Sequence, residues 1–200
     1  MMSSLPAATR TILFATVGVF LLQSAATDVL VRHFALWPPG ELFRPWQLVS
    51  YAFLHGGLMH LFFNMLALWM FARELELMWG PRRFALFYFA SVLAAGATQL
   101  VVMQASDAYY PTIGASGGVF GVLLAFALYF PHQRITLLFP PIPMPAWLFV
   151  TLYGALELVL GVTGSYEGVA HFAHLGGMLG GALVLAWWRM RPRPRTTFRI

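Results

Sequence analysis

The chain has 200 residues, 60% of them hydrophobic and only 10% charged, against roughly 25% charged residues in soluble domains; with a mean hydropathy of +0.73 it reads as an integral membrane protein. No cysteine is present, which excludes a disulfide framework, a thiolate nucleophile and a thiolate metal site. The pI near 10.1 does not indicate a nucleic-acid partner, because all twelve basic residues are arginines and most stand at the ends of apolar segments, a pattern that orients a chain in a lipid bilayer.

Crossing the hydrocarbon core takes about 20 largely apolar residues. Six stretches qualify, at residues 11–31, 58–78, 83–104, 115–131, 146–163 and 168–188. None shows the period-2 alternation of a barrel strand, so the expected fold is an all-α polytopic bundle of six transmembrane helices. The first stretch, with Arg10 before it and small residues near Ala26, also fits a cleaved signal peptide, but its apolar run continues through Val29, Leu30 and Val31 and favours a span. Residues 32–57 are long for a connection in a compact bundle; Pro38, Pro39, Pro45 and several aromatics predict a structured element in the headgroup region. After the second, third and fourth stretches comes PHQRITLLFPPIPMPAW, whose prolines bar one continuous helix into the fifth. Beyond the sixth, residues 189–200 read RMRPRPRTTFRI, a basic cytoplasmic tail suited to anionic lipid, leaving residues 1–188 as the bundle.

Charge counting sets the expected topology. With a cytoplasmic N-terminus the inside carries Arg10, Arg73, Arg82, Arg83, Arg134, Arg189, Arg191, Arg193, Arg195 and Arg199, and the outside only Arg32 and Arg44. Ten against two satisfies the positive-inside rule with both termini in the cytoplasm.

Polar groups inside apolar spans are costly and call for a reason. His60, Asn64, Ser116, Glu157, His171 and His174 stand out. His60 and Asn64, four apart in HGGLMHLFFNM, share one face of the second helix. Ser116 sits in PTIGASGGVFG at the outer end of the fourth, and His171 and His174 open the sixth at the same depth. A serine hydroxyl becomes a nucleophile when a neutral imidazole takes its proton, and the resulting oxyanion needs donors, which the Ser116 amide, His60 and Asn64 can supply. Gly114, Gly117 and Gly121, with Gly177 and Gly181 at +3 and +7 from His174, make small faces through which the serine and histidine helices can approach.

Read alone, Ser116 is more simply a packing residue of a glycine-rich contact; the spaced histidines and Asn64 turn the reading to catalysis. His171 is taken as a supporting polar residue. Glu157, in TLYGALELVLG, fits either a proton relay or, preferably, a structural hydrogen bond to a neighbouring helix. Arg73, Glu74 and Glu76 are expected to pin the cytoplasmic end of the second helix. A zinc site built from His55, His60, His171 and His174 is the competing chemistry, but no HExxH supplies a base and the glycines around Ser116 go unexplained. A non-cleaving bundle that binds membrane clients is the other alternative.

Together, GASGGVFG, HGGLMHLFFNM and AHFAHLGGMLGG resemble, in order and spacing, the GxSG, HxxxxHxxxN and sixth-span histidine with GxxxG of the rhomboid intramembrane serine proteases. The likeness extends over about residues 10–188. It implies an intramembrane serine endopeptidase with a Ser–His dyad and no carboxylate, carried onto Ser116 and His174, with oxyanion donors at His60, Asn64 and the Ser116 amide and His55 as a structural loop residue. It implies no cofactor and no metal, and as partners transmembrane protein substrates in the lipid bilayer, entering between the second and fifth helices past Trp147, Phe149 and Tyr153 under a loop that contains Glu167. Many members carry Trp-Arg in the first external loop, where this chain has Trp46-Gln47, a change expected to alter loop anchoring. Without an added domain, a seventh span or a targeting segment, the chain is expected in a prokaryotic plasma membrane, with an organelle as the alternative.

Overall fold

A computed structural model describes residues 5–106, 109–136, 141–164 and 169–190. Six long helices make the bundle. α1 (Ala7–Ala25) is followed by a short α2 (Thr27–Phe34), then α3 (Gln47–Ser50) with a 3-10 turn over Tyr51–Phe53, α4 (Leu58–Trp79), α5 (Pro81–Ala105), α6 (Ser116–Tyr129), α7 (Ala146–Thr163) and α8 (His171–Met190). The predicted stretches find helices at their positions, with three departures. The first stretch is not one helix, because the chain leaves helical geometry at Ala26 (φ −146°, ψ 48°) and restarts as α2 at Thr27. The connection between α6 and α7 is not devoid of regular structure: β1 (Arg134–Thr136) pairs antiparallel with β2 (Pro143–Pro145), so the all-α description holds for the bundle alone.

The third departure concerns span count. Among the described residues, three helices are long and apolar enough to cross a membrane, Ala7–Ala25, Pro81–Ala105 and Ala146–Thr163, and a fourth span results if the Gln47–Phe53 and Leu58–Trp79 pair, bent by 99°, counts as one. α6 is apolar but has only 14 residues. α4 and α8 contain His60, Asn64, His171 and His174, which dilute their apolarity. The residues that make the chain chemically interesting are thus those that weaken its span signal.

Local chemistry explains the helix ends. Gly80, at φ 81°, turns the chain between α4 and α5 and hands over to Pro81 at the first helical position, where its fixed φ and missing N–H cost nothing. Gly164, at φ 66°, closes α7 in the left-handed conformation common at helix C-termini. Glu76, near the end of α4 and buried, accepts hydrogen bonds from the Ala8 and Thr9 amides at 2.8 and 2.7 Å and from the Thr9 hydroxyl at 2.7 Å. A carboxylate at the N-terminus of α1 satisfies orphan donors and complements the helix dipole. It pins the far end of α4, while Arg73 pairs with Glu74 beside it.

The core lies between α4, α5, α6 and α8, with Leu68, Phe84, Phe87, Tyr88, Val92, Val122 and Leu185 buried in it. On the opposite side of the packing scale, α7 buries only Ala146, Val150 and Glu157. Residues 35–57 wrap the end of the bundle that carries Ser116. Gln47 is fully buried and organises this loop: its carbonyl oxygen accepts from the Arg44 and Trp37 amides at 3.1 and 3.4 Å, and its NH2 donates to the Leu42 and His33 carbonyls at 2.9 and 3.4 Å. Gln47 therefore anchors the loop itself, through four side-chain bonds to backbone.

Candidate active site

Three elements converge on the start of α6. Leu36 and Thr112 exchange backbone hydrogen bonds at 2.9 and 2.8 Å, and the Gly114 amide donates to the Tyr51 carbonyl at 3.0 Å, fixing the strand that leads to Ser116. Gly114 has φ 129°, and a Cβ there would stand 2.8 to 2.9 Å from the His60 ring and 3.7 Å from Ser116 Oγ. The glycine is therefore required twice, by its backbone angle and by the space that brings His60 next to Ser116.

Backbone contact between α6 and α8 sets the other side. A Cβ on Gly177 would lie 2.0 Å from the Gly117 carbonyl oxygen, and one on Gly181 would lie 3.3 Å from Gly121 Cα and 2.9 Å from the Phe87 ring. These glycines are matched across the interface at one helical turn, Gly117 to Gly177 and Gly121 to Gly181, so the helices touch main chain to main chain. At that spacing His174 Nε2 comes within 2.8 Å of Ser116 Oγ. Phe120, one turn beyond the serine, stacks on the His174 ring with centroids 4.4 Å apart and planes 5° from parallel.

His60 and Asn64 lie on the face of α4 that the spacing predicts. The Asn64 NH2 donates to the His60 carbonyl at 2.9 Å, using one of its two protons. The Gly56 amide donates to His60 Nδ1 at 3.4 Å, which leaves Nε2 as the protonated nitrogen of a neutral ring, on the side that meets Gly114. His55 is buried in the loop. Gln23 of α1 clamps its backbone with bonds of 2.9 and 3.0 Å, and its Nε2 accepts the Ala115 amide at 3.4 Å. It supports the turn into Ser116 and stands edge-on to His60, centroids 4.9 Å apart.

Glu157 is the residue whose position the sequence did not convey. From α7 its Oε2 meets His171 Nδ1 at 2.7 Å and His174 Nδ1 at 2.8 Å, and all three residues are buried. It does make the expected hydrogen bonds to a neighbouring helix, and one of them falls on the histidine beside Ser116. The four histidines weighed as a zinc set are not one cluster: among the described residues, the donors that gather within 4.8 Å are Glu157, His171 and His174. Phe120 was also missed, although its place four residues after Ser116 puts it on the serine's face.

On the α7 side, Tyr153 lies between Phe149 and Phe120, with ring centroids 5.7 and 4.8 Å away, and Trp147 is half exposed at the start of the helix. Residues 165–168, including Glu167, and residues 191–200 of the tail lie outside the described residues.

Comparison with known proteins shows which family the chain belongs to. The chain is 35% identical over 139 residues to Rhomboid protein 1, mitochondrial, of Saccharomyces cerevisiae, covering 68% of this chain and 40% of that protein. It is 30% identical over 175 residues to the Rhomboid protease GluP of Bacillus subtilis, 84% of this chain and 32% of the relative. To the Rhomboid protease GlpG of Yersinia enterocolitica it is 25% identical over 198 residues, 94% and 65%. The chain thus spans about 40% of the length of the mitochondrial relative. These relatives are both mitochondrial and bacterial, which gives no support to the narrower expectation of a prokaryotic plasma membrane. The Rhomboid domain matches residues 42–191, three of whose helices contribute the polar groups around Ser116, and the chain is a membrane protein of the rhomboid family.

Proposed function

We propose that this protein is an intramembrane serine endopeptidase that hydrolyses peptide bonds in or next to transmembrane segments of other membrane proteins. The observation that carries the reading is the 2.8 Å contact of His174 Nε2 with Ser116 Oγ inside an apolar bundle. Ser116 Oγ attacks the scissile carbonyl carbon as its proton passes to Nε2; the carbonyl π electrons move to oxygen. The oxyanion is met by the Ser116 amide, His60 and Asn64. Collapse breaks the C–N bond as His174 returns the proton to the leaving amine, and water repeats the sequence to release the acyl group.

In this reading six helices cross the bilayer with both termini in the cytoplasm, as the ten-to-two arginine count favours. The site then opens to the outer face, where hydrolytic water is available. Substrate helices enter between α4 and α7, past Trp147, Phe149 and Tyr153, and unwind locally to expose a peptide bond, so small or helix-breaking residues at the cut are preferred. No cofactor takes part.

The test is cleavage of a labelled transmembrane substrate by purified wild type beside Ser116→Ala, with fluorophosphonate labelling in parallel. Cleavage and labelling both vanish in the variant, and both survive EDTA in the wild type, since the serine–histidine pair uses no metal. Activity abolished by chelator and restored by zinc would refute the serine reading; absence of both cleavage and labelling in the wild type would favour a non-cleaving client binder.

A further inference from the structure

Glu157 is a carboxylate near the middle of the least buried of the long helices. Lone carboxylates in spans are costly and are retained where they do something. Its surroundings specify what. One oxygen, Oε2, receives Nδ1 of His171 and Nδ1 of His174. An ionised carboxylate only accepts, so each of these nitrogens must carry its ring's proton. In a neutral imidazole Nε2 is then the bare nitrogen. For His174 that bare Nε2 faces Ser116 Oγ, the tautomer a general base needs. The Phe120 ring stacked on one face of His174 leaves the imidazole little freedom to turn away.

We infer that Glu157 is the positioning carboxylate of this site, so that the working unit is Ser116–His174–Glu157 with His171 as the second donor to Glu157, in place of the unsupported pair that the family resemblance implies. The inference rests on the serine–histidine reading of the site. As the Ser116 proton reaches Nε2, the ring becomes an imidazolium whose Nδ1–H already points at a carboxylate, and in surroundings of low polarity that attraction is large. Glu157 takes no proton at any stage; it selects the tautomer beforehand and balances the charge afterwards. His171 has a different task. Its own Nδ1–H holds Oε2 from the α8 side, and its position one turn before His174 keeps the carboxylate from following the thinly packed α7 away from the site.

Glu157→Gln tests this directly. An amide oxygen has two lone pairs and can still accept both Nδ1–H groups as Oε2 does, but it carries no charge to balance the imidazolium that forms on His174; where the NH2 meets His174 instead, the ring proton is forced onto Nε2 and the base is lost. The corresponding change in a soluble serine protease lowers kcat by about 10⁴ with geometry intact. A fall in kcat of about 10² to 10⁴ is expected here, with KM within about threefold, and Glu157→Asp, which keeps a carboxylate one methylene shorter, regains part of the rate. Histidine-labelled ¹⁵N NMR of the wild type in detergent, in mildly alkaline buffer, should find His174 in the Nδ1–H form.

A folded Glu157→Gln that keeps kcat within about threefold of wild type overturns the inference. So does a loss confined to KM, which would make Glu157 a tether of α7 only. If the variant does not fold, the wild-type spectrum decides alone, and His174 in the Nε2–H form overturns the inference. Ser116→Ala separates this inference from the reading beneath it. If that variant still cleaves, the serine mechanism itself fails; if it is inactive while Glu157→Gln is not, only the role of Glu157 fails.

Discussion

Helices α6 and α7 both lean on α8, yet ten of the fourteen residues of α6 are buried against three of the eighteen in α7, so different forces must hold them. α6 is located by what its sequence lacks: at Gly117, Gly118 and Gly121 a Cβ would come within 2.2 to 2.4 Å of the side chains of Ala95, Tyr88 and Ser91, and only glycine leaves room for α5 to pack so close. α7 is located by what its sequence contains, namely Glu157 on two histidines and a short run of aromatic contacts. Most of its remaining surface faces outward. Ser116 is thus mounted on the rigid side of the site, and the side that a substrate helix would pass in the proposed function is held by few groups that can part and re-form.

That contrast can be broken or sharpened by substitution. Outside Ser116, His174 and Glu157, the largest effect is expected at Asn64 of α4. Removing one oxyanion donor in a soluble serine protease costs about 10² to 10³ in kcat, roughly 3 to 4 kcal/mol, and Asn64→Ala should fall in the same range with KM within about threefold. Steady-state kinetics with a thermal melt in detergent checks this; a folded variant with wild-type kcat would remove Asn64 from the oxyanion site.

Next in size is Gly177→Ala. Its Cβ would stand 2.0 Å from the carbonyl oxygen of Gly117, an atom that cannot rotate aside, so α6 and α8 must separate. Overpacking of this kind costs about 1 to 3 kcal/mol. The melting temperature should drop, and the fluorophosphonate labelling rate should drop with it, because the separation pulls His174 from Ser116. A melting temperature and labelling rate equal to wild type would show that the glycine contact does not set the dyad distance.

The smallest effect is expected at Gly154→Ala, the matching change on α7. There a Cβ meets only the flexible end of Met178, at 3.5 Å, ordinary van der Waals contact, and alanine favours the helix over glycine by up to about 1 kcal/mol. Unchanged or slightly raised stability is expected in the same melt. If Gly154→Ala proved as damaging as Gly177→Ala, the distinction between a rigid and a thinly held helix would fall.

Much of this architecture was legible in the amino-acid order. The helix positions follow from runs of apolar residues, and the rule that polar groups in spans need a reason singles out Ser116, His174, His60 and Asn64 as candidates; the +3 and +7 glycines after His174 predict the α6–α8 contact. The break at Ala26 was not legible, since no proline or glycine marks it and Ser24, Thr27 and Asp28 beside it disfavour a helix interior only weakly. The β1–β2 pair was hidden because prolines bar a helix without saying what replaces it.

By itself the sequence determined the local matters: which segments are helical, where glycine is compulsory, and which side chains are capable of acid–base or nucleophilic work. Only the tertiary structure decided how those side chains are paired. Glu157 is 14 and 17 residues from its two histidines and Ser116 is 58 from His174, and helices that are apolar on nearly every face carry no periodic stripe to say which side turns inward. That choice is made by close packing of the glycine faces and by the few polar groups that have no water to turn to, which is why a carboxylate with no assigned partner in the sequence ends on the ring nitrogen opposite the serine.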